Sequence, residues 1–230
     1  MFEESFEEQR KKLVSRLVDE GVLKSEQVIK AMLAVPRELF VPEPHRKYAY
    51  ADTPLPTLSG QTISAPHMVA MMCEYLDLKP GHKVLEVGAG SGYHAAVCAE
   101  IVAPRGSAVR GHVYAIERVM DLVIFAKKNL ERAGYSDRVT VICGDGTMGY
   151  PEAAPYDRIL VTAAAPKIPL PLIEQLRVSG RIVIPVGEPY SIQELVIAEK
   201  REDGSVKSIS VGGCVFVPLI GRYGWSEHLT

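Results

Sequence analysis

The stretch Leu85-Glu86-Val87-Gly88-Ala89-Gly90-Ser91-Gly92-Tyr93 carries the strongest local chemistry in the chain. An apolar run delivers the backbone into glycines, where it can turn sharply and approach a ligand closely. A dinucleotide fingerprint would space them as G-x-G-x-x-G. Here the third glycine comes one residue early, and Tyr93 stands in its expected place. Glu117 closes another apolar run. It could accept hydrogen bonds from both hydroxyls of a ribose, or serve as a helix-start acid before Val119. Asp145 in Gly144-Asp145-Gly146 could accept from an adenine amino group, or be an ordinary turn aspartate. A second stretch, Ser59-Gly60-Gln61-Thr62-Ile63-Ser64-Ala65-Pro66-His67-Met68, sets hydroxyls and a glutamine before a proline. Ser64 there is either the cap of a helix that begins near Pro66 or a group that meets substrate.

Secondary elements must position these groups. Residues 6–20 place Phe6, Leu13, Val14, Leu17 and Val18 on one helical stripe that ends at Gly21. A second helix, capped by Ser25, turns Val28, Ile29, Met32 and Leu33 inward and stops before Pro36. The proline-rich segment 40–56 reads as a packed irregular loop, and residues 67–76 as a third helix. Beyond Lys79-Pro80-Gly81 the pattern becomes strand 83–87, helix 92–102, strand 112–116, helix 119–133, strand 138–143, strand 156–163, helix 170–177 and strand 181–186. Such alternation predicts a doubly wound, mostly parallel α/β sheet with both faces covered. Extended runs 193–200 and 206–211, joined at Glu202-Asp203-Gly204, form a hairpin, and residues 214–219 add a further β segment. The expected organisation is one domain over residues 1–230: a helical N-terminal cover (1–80), an α/β core (81–190) and a β-rich tail (191–230).

Composition narrows the function classes. A hydrophobic share of 47%, a charged share of 23% and a net charge of −2 describe an ordinary globular chain and argue against general binding to nucleic acid. No stretch approaches a membrane span, and Phe2-Glu3-Glu4 is the wrong start for a signal peptide. Cys73, Cys98, Cys143 and Cys214 form no C-x-x-C, and the histidines show no metal-ligand spacing, so no metal site is expected. Reduced thiols and a cytoplasmic address follow. No exposed dimerisation stripe stands out, which leaves a monomer as the default.

The tight glycine loop with Glu86 before it resembles the first motif of S-adenosylmethionine-dependent methyltransferases. On that reading Glu86, Gly88, Gly90, Gly92, Glu117, Asp145 and Gly146 bind the cofactor, which leaves as S-adenosylhomocysteine. The end of the fourth strand, Thr162-Ala163-Ala164-Ala165-Pro166, lacks the amide or carboxylate that would gather an amine. It also lacks clustered carboxylates for metal-assisted methylation. The whole pattern resembles the protein-L-isoaspartate (D-aspartate) O-methyltransferases. It does so through Val35-Pro36-Arg37, Phe40-Val41-Pro42, residues 60–68, the glycine loop, Gly144-Asp145-Gly146, Ala154-Pro155-Tyr156-Asp157, Gly180-Arg181, Pro185-Val186-Gly187 and Phe216-Val217-Pro218-Leu219.

The resemblance implies that Ser64 is the active-site serine, that Thr62 and Ile63 sit in the isoaspartyl pocket, and that Val217 lines a peptide groove. It also implies a sheet whose last strands exchange places relative to other methyltransferases. His67 is a candidate pocket residue or a helix-start packing group. The implied substrates are damaged proteins and peptides whose isoaspartyl α-carboxylate becomes a methyl ester, which then cyclises to a succinimide. One departure is the long loop 103–111, with Arg105 and Arg110, which leaves the rim of the cofactor site open but not the site itself. Three rivals remain at this level: a methyltransferase for small carboxylates, a nicotinamide oxidoreductase (disfavoured by Tyr93) and a catalytically silent cofactor-binding module.

Overall fold

The computed structural model describes residues 4–227. Helix α1 (Phe6–Asp19) opens with a reciprocal cap. The Ser5 hydroxyl accepts from the Glu8 amide, and the Glu8 carboxylate accepts from the Ser5 amide. Its inner stripe buries Leu13, Val14 and Leu17, but Val18 is exposed, so the inward stripe is narrower than expected. Helix α2 (Glu26–Ala34) likewise buries Val28, Ala31 and Met32 and leaves Leu33 exposed. Ser25 occupies its cap position without a side-chain capping bond. The Glu74 carboxylate accepts from the Lys24 and Ser25 amides instead, at 2.8 and 2.9 Å.

Two short 3₁₀ turns, Arg37–Leu39 and Glu43–Tyr48, shape the proline-rich segment. It then pairs β1 (Leu55–Pro56) antiparallel with β2 (Thr62–Ile63). Helix α3 (Pro66–Leu76) follows, with proline in its first turn.

The core alternates as the spacing predicts: β3 (Lys83–Val87), α4 (Tyr93–Val102), β4 (His112–Glu117), α5 (Met120–Ala133), β5 (Val139–Cys143), β6 (Tyr156–Val161), α6 (Leu170–Glu174), β7 (Leu176–Val186), β8 (Gln193–Lys200) and β9 (Val206–Cys214). The sheet order is β5-β4-β3-β6-β7-β8-β9. The first five strands are parallel, while β8 and β9 add on antiparallel. The last three strands thus lie in chain order. The hairpin closes at Gly204, whose positive φ of 80° suits glycine. Helix α6 is shorter than expected because the chain turns at Gln175 into a longer β7, whose pairing with β6 shifts register after Tyr156. Residues 215–219 form no regular strand. They meet the sheet through one parallel bridge, Ala164 to Pro218.

Successive strand residues face opposite layers. Val84, Val113, Leu160 and Val183 face the cluster built by α1 to α5, and Leu85, Ile159 and Ile182 face the one holding Leu172 and Leu219. Loop 103–111 packs at the entry to β4, where the Gly111 amide donates to the Val102 carbonyl. Arg105 stacks on Tyr135 and donates to the Ala133 carbonyl. This is the opposite end of the sheet from the glycine loop, so loop 103–111 stands away from the cofactor end.

Candidate active site

At the carboxyl end of β3 the glycine loop is held by packing that side chains would break. Gly88 has φ 96°, and a Cβ there would lie 2.4 Å from the Thr162 hydroxyl oxygen. That hydroxyl donates to the Gly88 carbonyl at 2.7 Å, joining the ends of β3 and β6. Gly92 has φ 85° and leads into α4, its Cα pressed toward Leu130 and Ala126 of α5. Gly92 therefore packs helix on helix behind the loop and does not border a cavity, unlike Gly88 and Gly90.

Two cavities, of about 580 and 560 Å³, meet across this loop and share Thr62, Gly88, Gly90, Thr162, Tyr190 and Val217. The first runs along the ends of β4 and β5 and is bordered by Glu117, Val119, Gly146 and Leu219. Glu117 is 7% exposed. One of its oxygens accepts from the Gly90 amide and the other from the Val119 amide, both at 3.0 Å. The acid thus straps the glycine loop to the start of α5 while still facing the cavity. The helix-start reading thus has its bond to the Val119 amide, and the oxygens keep capacity for further donors, because each can accept more than one bond.

Asp145 differs. One oxygen accepts from the Thr147 amide and hydroxyl, and the other from the Arg222 amide. Gly146, not Asp145, borders the cavity. The structure thus favours the turn-aspartate reading, with a long-range task of anchoring the tail.

The second cavity is bordered by Thr62, Ile63, Ser64, His67, Glu86, Tyr93, His94, Phe216 and Val217. Here the question at Ser64 receives a structural answer. Helix α3 has Ala65 at its cap position, and that cap makes no side-chain hydrogen bond. Asp52 performs the cap from a distance, accepting from the His67 amide and Nδ1 at 2.9 Å each, with Arg16 at 3.1 Å on its other oxygen. Ser64 is free of the capping task and borders the cavity, whereas His67 is tied to Asp52 at the cavity's edge.

The Ser64 main chain is fixed from behind by Arg37. This side chain is fully buried, donates to the Ser64 carbonyl and the Ala49 carbonyl at 2.8 Å each, and lies 4.8 Å over the Tyr93 ring. One arginine therefore links the substrate segment to the first residue of α4. Reading by motif passed over Arg37, Asp52, Thr162 and Tyr190 as site residues. Only the Val35-Pro36-Arg37 stretch signalled any of them.

Glu86 supplies the clearest sign of a missing ligand group. It is wholly buried, yet neither carboxylate oxygen has a hydrogen-bond partner. Desolvation first, then the neighbouring Cys98 and Glu117, push its pKa well above the usual carboxylate value. A buried carboxylate in this state lacks a cation or donors. The ammonium of S-adenosylmethionine's amino-acid portion fits that need, and Glu117 suits the ribose of its nucleoside. The residues present fit this cofactor.

A family model described as protein-L-isoaspartate(D-aspartate) O-methyltransferase matches residues 8–224. The chain is similar to the protein-L-isoaspartate O-methyltransferase of Hyperthermus butylicus, with 64% identity covering 98% of this chain and 94% of the relative. It is also similar to that of Pyrococcus horikoshii, at 55% identity over 99% of this chain and all of the relative. Among solved structures, a Plasmodium falciparum protein of this description in complex with S-adenosyl-L-homocysteine superposes with a TM-score of 0.81. It shares 30% identity and covers 92% of this chain and 98% of its own. The chain belongs to the protein-L-isoaspartate (D-aspartate) O-methyltransferase family.

Proposed function

We propose that this protein methylates the free α-carboxylate of L-isoaspartyl residues in damaged proteins and peptides, with Ser64 orienting the acceptor. The observation that carries the reading is the pair of cavities meeting at the glycine loop. One is lined by the ribose-type acid Glu117, the other by a serine that caps no helix. When bound, S-adenosylmethionine supplies an electrophilic methyl group on a positively charged sulfur.

An isoaspartyl α-carboxyl has a reference pKa of about 3.5, so the acceptor arrives ionised and needs no general base. Ser64 donates one hydrogen bond to a carboxylate oxygen and turns the other toward the methyl carbon. Glu86 and Glu117 hold the donor at its two polar ends, while Ile63, Phe216 and Val217 exclude water. Positioning of this kind can contribute about 7–11 kcal/mol. The product ester cyclises outside the protein, because a backbone amide nitrogen displaces methanol more readily than it displaces water from a carboxylate.

We further propose one methyltransferase domain acting as a monomer in a reducing, cytoplasmic setting. The larger core cluster runs unbroken from α1 to Cys214, which supports a single domain. The four cysteines are free thiols. Among the described residues no helix is long and apolar enough to cross a membrane.

The test is methyl transfer from labelled S-adenosylmethionine to matched isoaspartyl and aspartyl peptides, with a small free dicarboxylate as a third acceptor. Labelling of the isoaspartyl peptide alone is expected. Labelling of the small acid with equal efficiency would overturn the peptide reading.

A further inference from the structure

Behind the second cavity, α3 and α4 bring together three side chains that are far apart or unremarkable in sequence. Cys73 projects from α3. His94 and Cys98 are four residues apart on α4 and so share a face. Cys73 and Cys98 are fully buried and His94 is 6% exposed. The Cys73 sulfur lies 3.4 Å from His94 Nε2, and the ligand atoms of all three groups lie within 4.8 Å of one another. In a tetrahedral zinc site, with metal–sulfur bonds of about 2.3 Å and metal–nitrogen bonds of about 2.0 Å, neighbouring donors sit roughly 3.5–3.8 Å apart. The present spacing is close to that, before any ion draws the donors inward.

The surroundings also suit a cation. His94 Nδ1 and both Glu86 oxygens are buried without partners, and Glu86 is near enough to Cys98 to sense its charge.

We propose that Cys73, His94 and Cys98 form a binding site for a thiophilic divalent cation of the zinc class, fastening the substrate-segment helix to the glycine-loop helix. Binding forms two metal–sulfur bonds and one bond to His94 Nε2. Two thiol protons pass to solvent, and no atom changes oxidation state. The fourth ligand is a water oxygen from the second cavity, which His94 borders.

The test uses full-length protein, chelator-treated, with all four thiols verified as reduced and the fold verified by circular dichroism. Titration with Co²⁺ is expected to bind one ion per chain with thiolate-to-cobalt charge-transfer absorption, intense tetrahedral visible bands and release of two protons per ion. Zn²⁺ displaces the cobalt and raises the unfolding temperature. Cys98→Ser and Cys73→Ser, if folded, each lose roughly half of the charge-transfer intensity, one of two metal–sulfur bonds, and bind the ion more weakly, whereas Cys143→Ser, at an exposed thiol elsewhere, behaves as the parent. A folded, reduced parent that shows no charge-transfer band at saturating cobalt overturns the proposal, as does a band whose intensity Cys98→Ser leaves unchanged. A Cys73–Cys98 disulfide in protein that rejects cobalt after reduction also overturns it and assigns the pair to redox chemistry.

Discussion

Ser64 and Glu86 make opposite demands on stability, and that contrast separates their roles. Because Asp52, not Ser64, bonds the first turn of α3, Ser64→Ala should leave the unfolding temperature within a degree of the parent. It should still lower kcat by about 10²-fold, the effect of removing one well-placed donor. Initial-rate kinetics and a thermal melt on the same sample check both halves. Glu86→Gln should do the reverse to the metal-free, cofactor-free protein. It removes a desolvated carboxylate without partners, a relief of about 1–2 kcal/mol, or a rise of about 2–8 °C in unfolding temperature at neutral pH. The same variant should bind S-adenosylmethionine more weakly, measured by calorimetry. The pH dependence follows from the raised pKa of Glu86. Its folded form holds a proton that the unfolded form releases near the ordinary value of 4.5. Stability from this group is therefore full below that value and is lost as pH rises through the folded pKa. The stability advantage of Glu86→Gln should accordingly grow as pH is raised from 4.5 toward neutrality and then level off. A constant difference across that window would place the proton elsewhere.

Between elements, contact across long stretches of chain decides what each side chain does. Arg37 holds two carbonyls at once, those of Ala49 and Ser64. Arg37→Lys keeps the charge but loses the planar fork that reaches both. We expect kcat to fall about tenfold while the apparent affinity for S-adenosylmethionine is unchanged, since Arg37 borders neither cavity. Kinetics with cofactor and peptide varied separately test this; a matching rise in the cofactor KM would remove the positioning role. Much of the arrangement around β3 was legible from sequence. The glycine loop, the acid closing β4 and the helical period of α5 are local patterns that survive folding. Asp52 capping α3, Asp145 turned onto the tail and the Cys73–His94–Cys98 meeting were not legible. Each depends on a partner more than ten residues away, and no local spacing encodes it. Val18 and Leu33 were misplaced for a related reason, since periodicity shows a stripe but not where the neighbouring helix ends.

Across the molecule, the cleft is closed by its last described residues. The Trp225 indole N–H donates to the Ala164 carbonyl at 3.0 Å, and the Arg222 and Tyr223 amides donate to Asp145 and Thr147. Together these hold the 215–219 segment against the end of β6. Trp225→Phe keeps an aromatic ring, though a smaller one, and deletes the indole N–H bond, at a cost of about 1 kcal/mol, which should lower the unfolding temperature by about 2–4 °C. The peptide KM should rise several-fold because Val217 loses its brace. An unchanged peptide KM would separate the tail from acceptor binding. The same closure bears on how the chain is made. More than 150 residues separate Ser64 from Val217, and both walls of the acceptor cavity need them together. A ribosome-bound chain can form the β3–α4 loop early, yet its cleft stays open until residues 215–225 emerge. Catalytic competence should therefore arrive late and all at once during synthesis, and a single proteolytic cut after Cys214 would return a finished molecule to that open state.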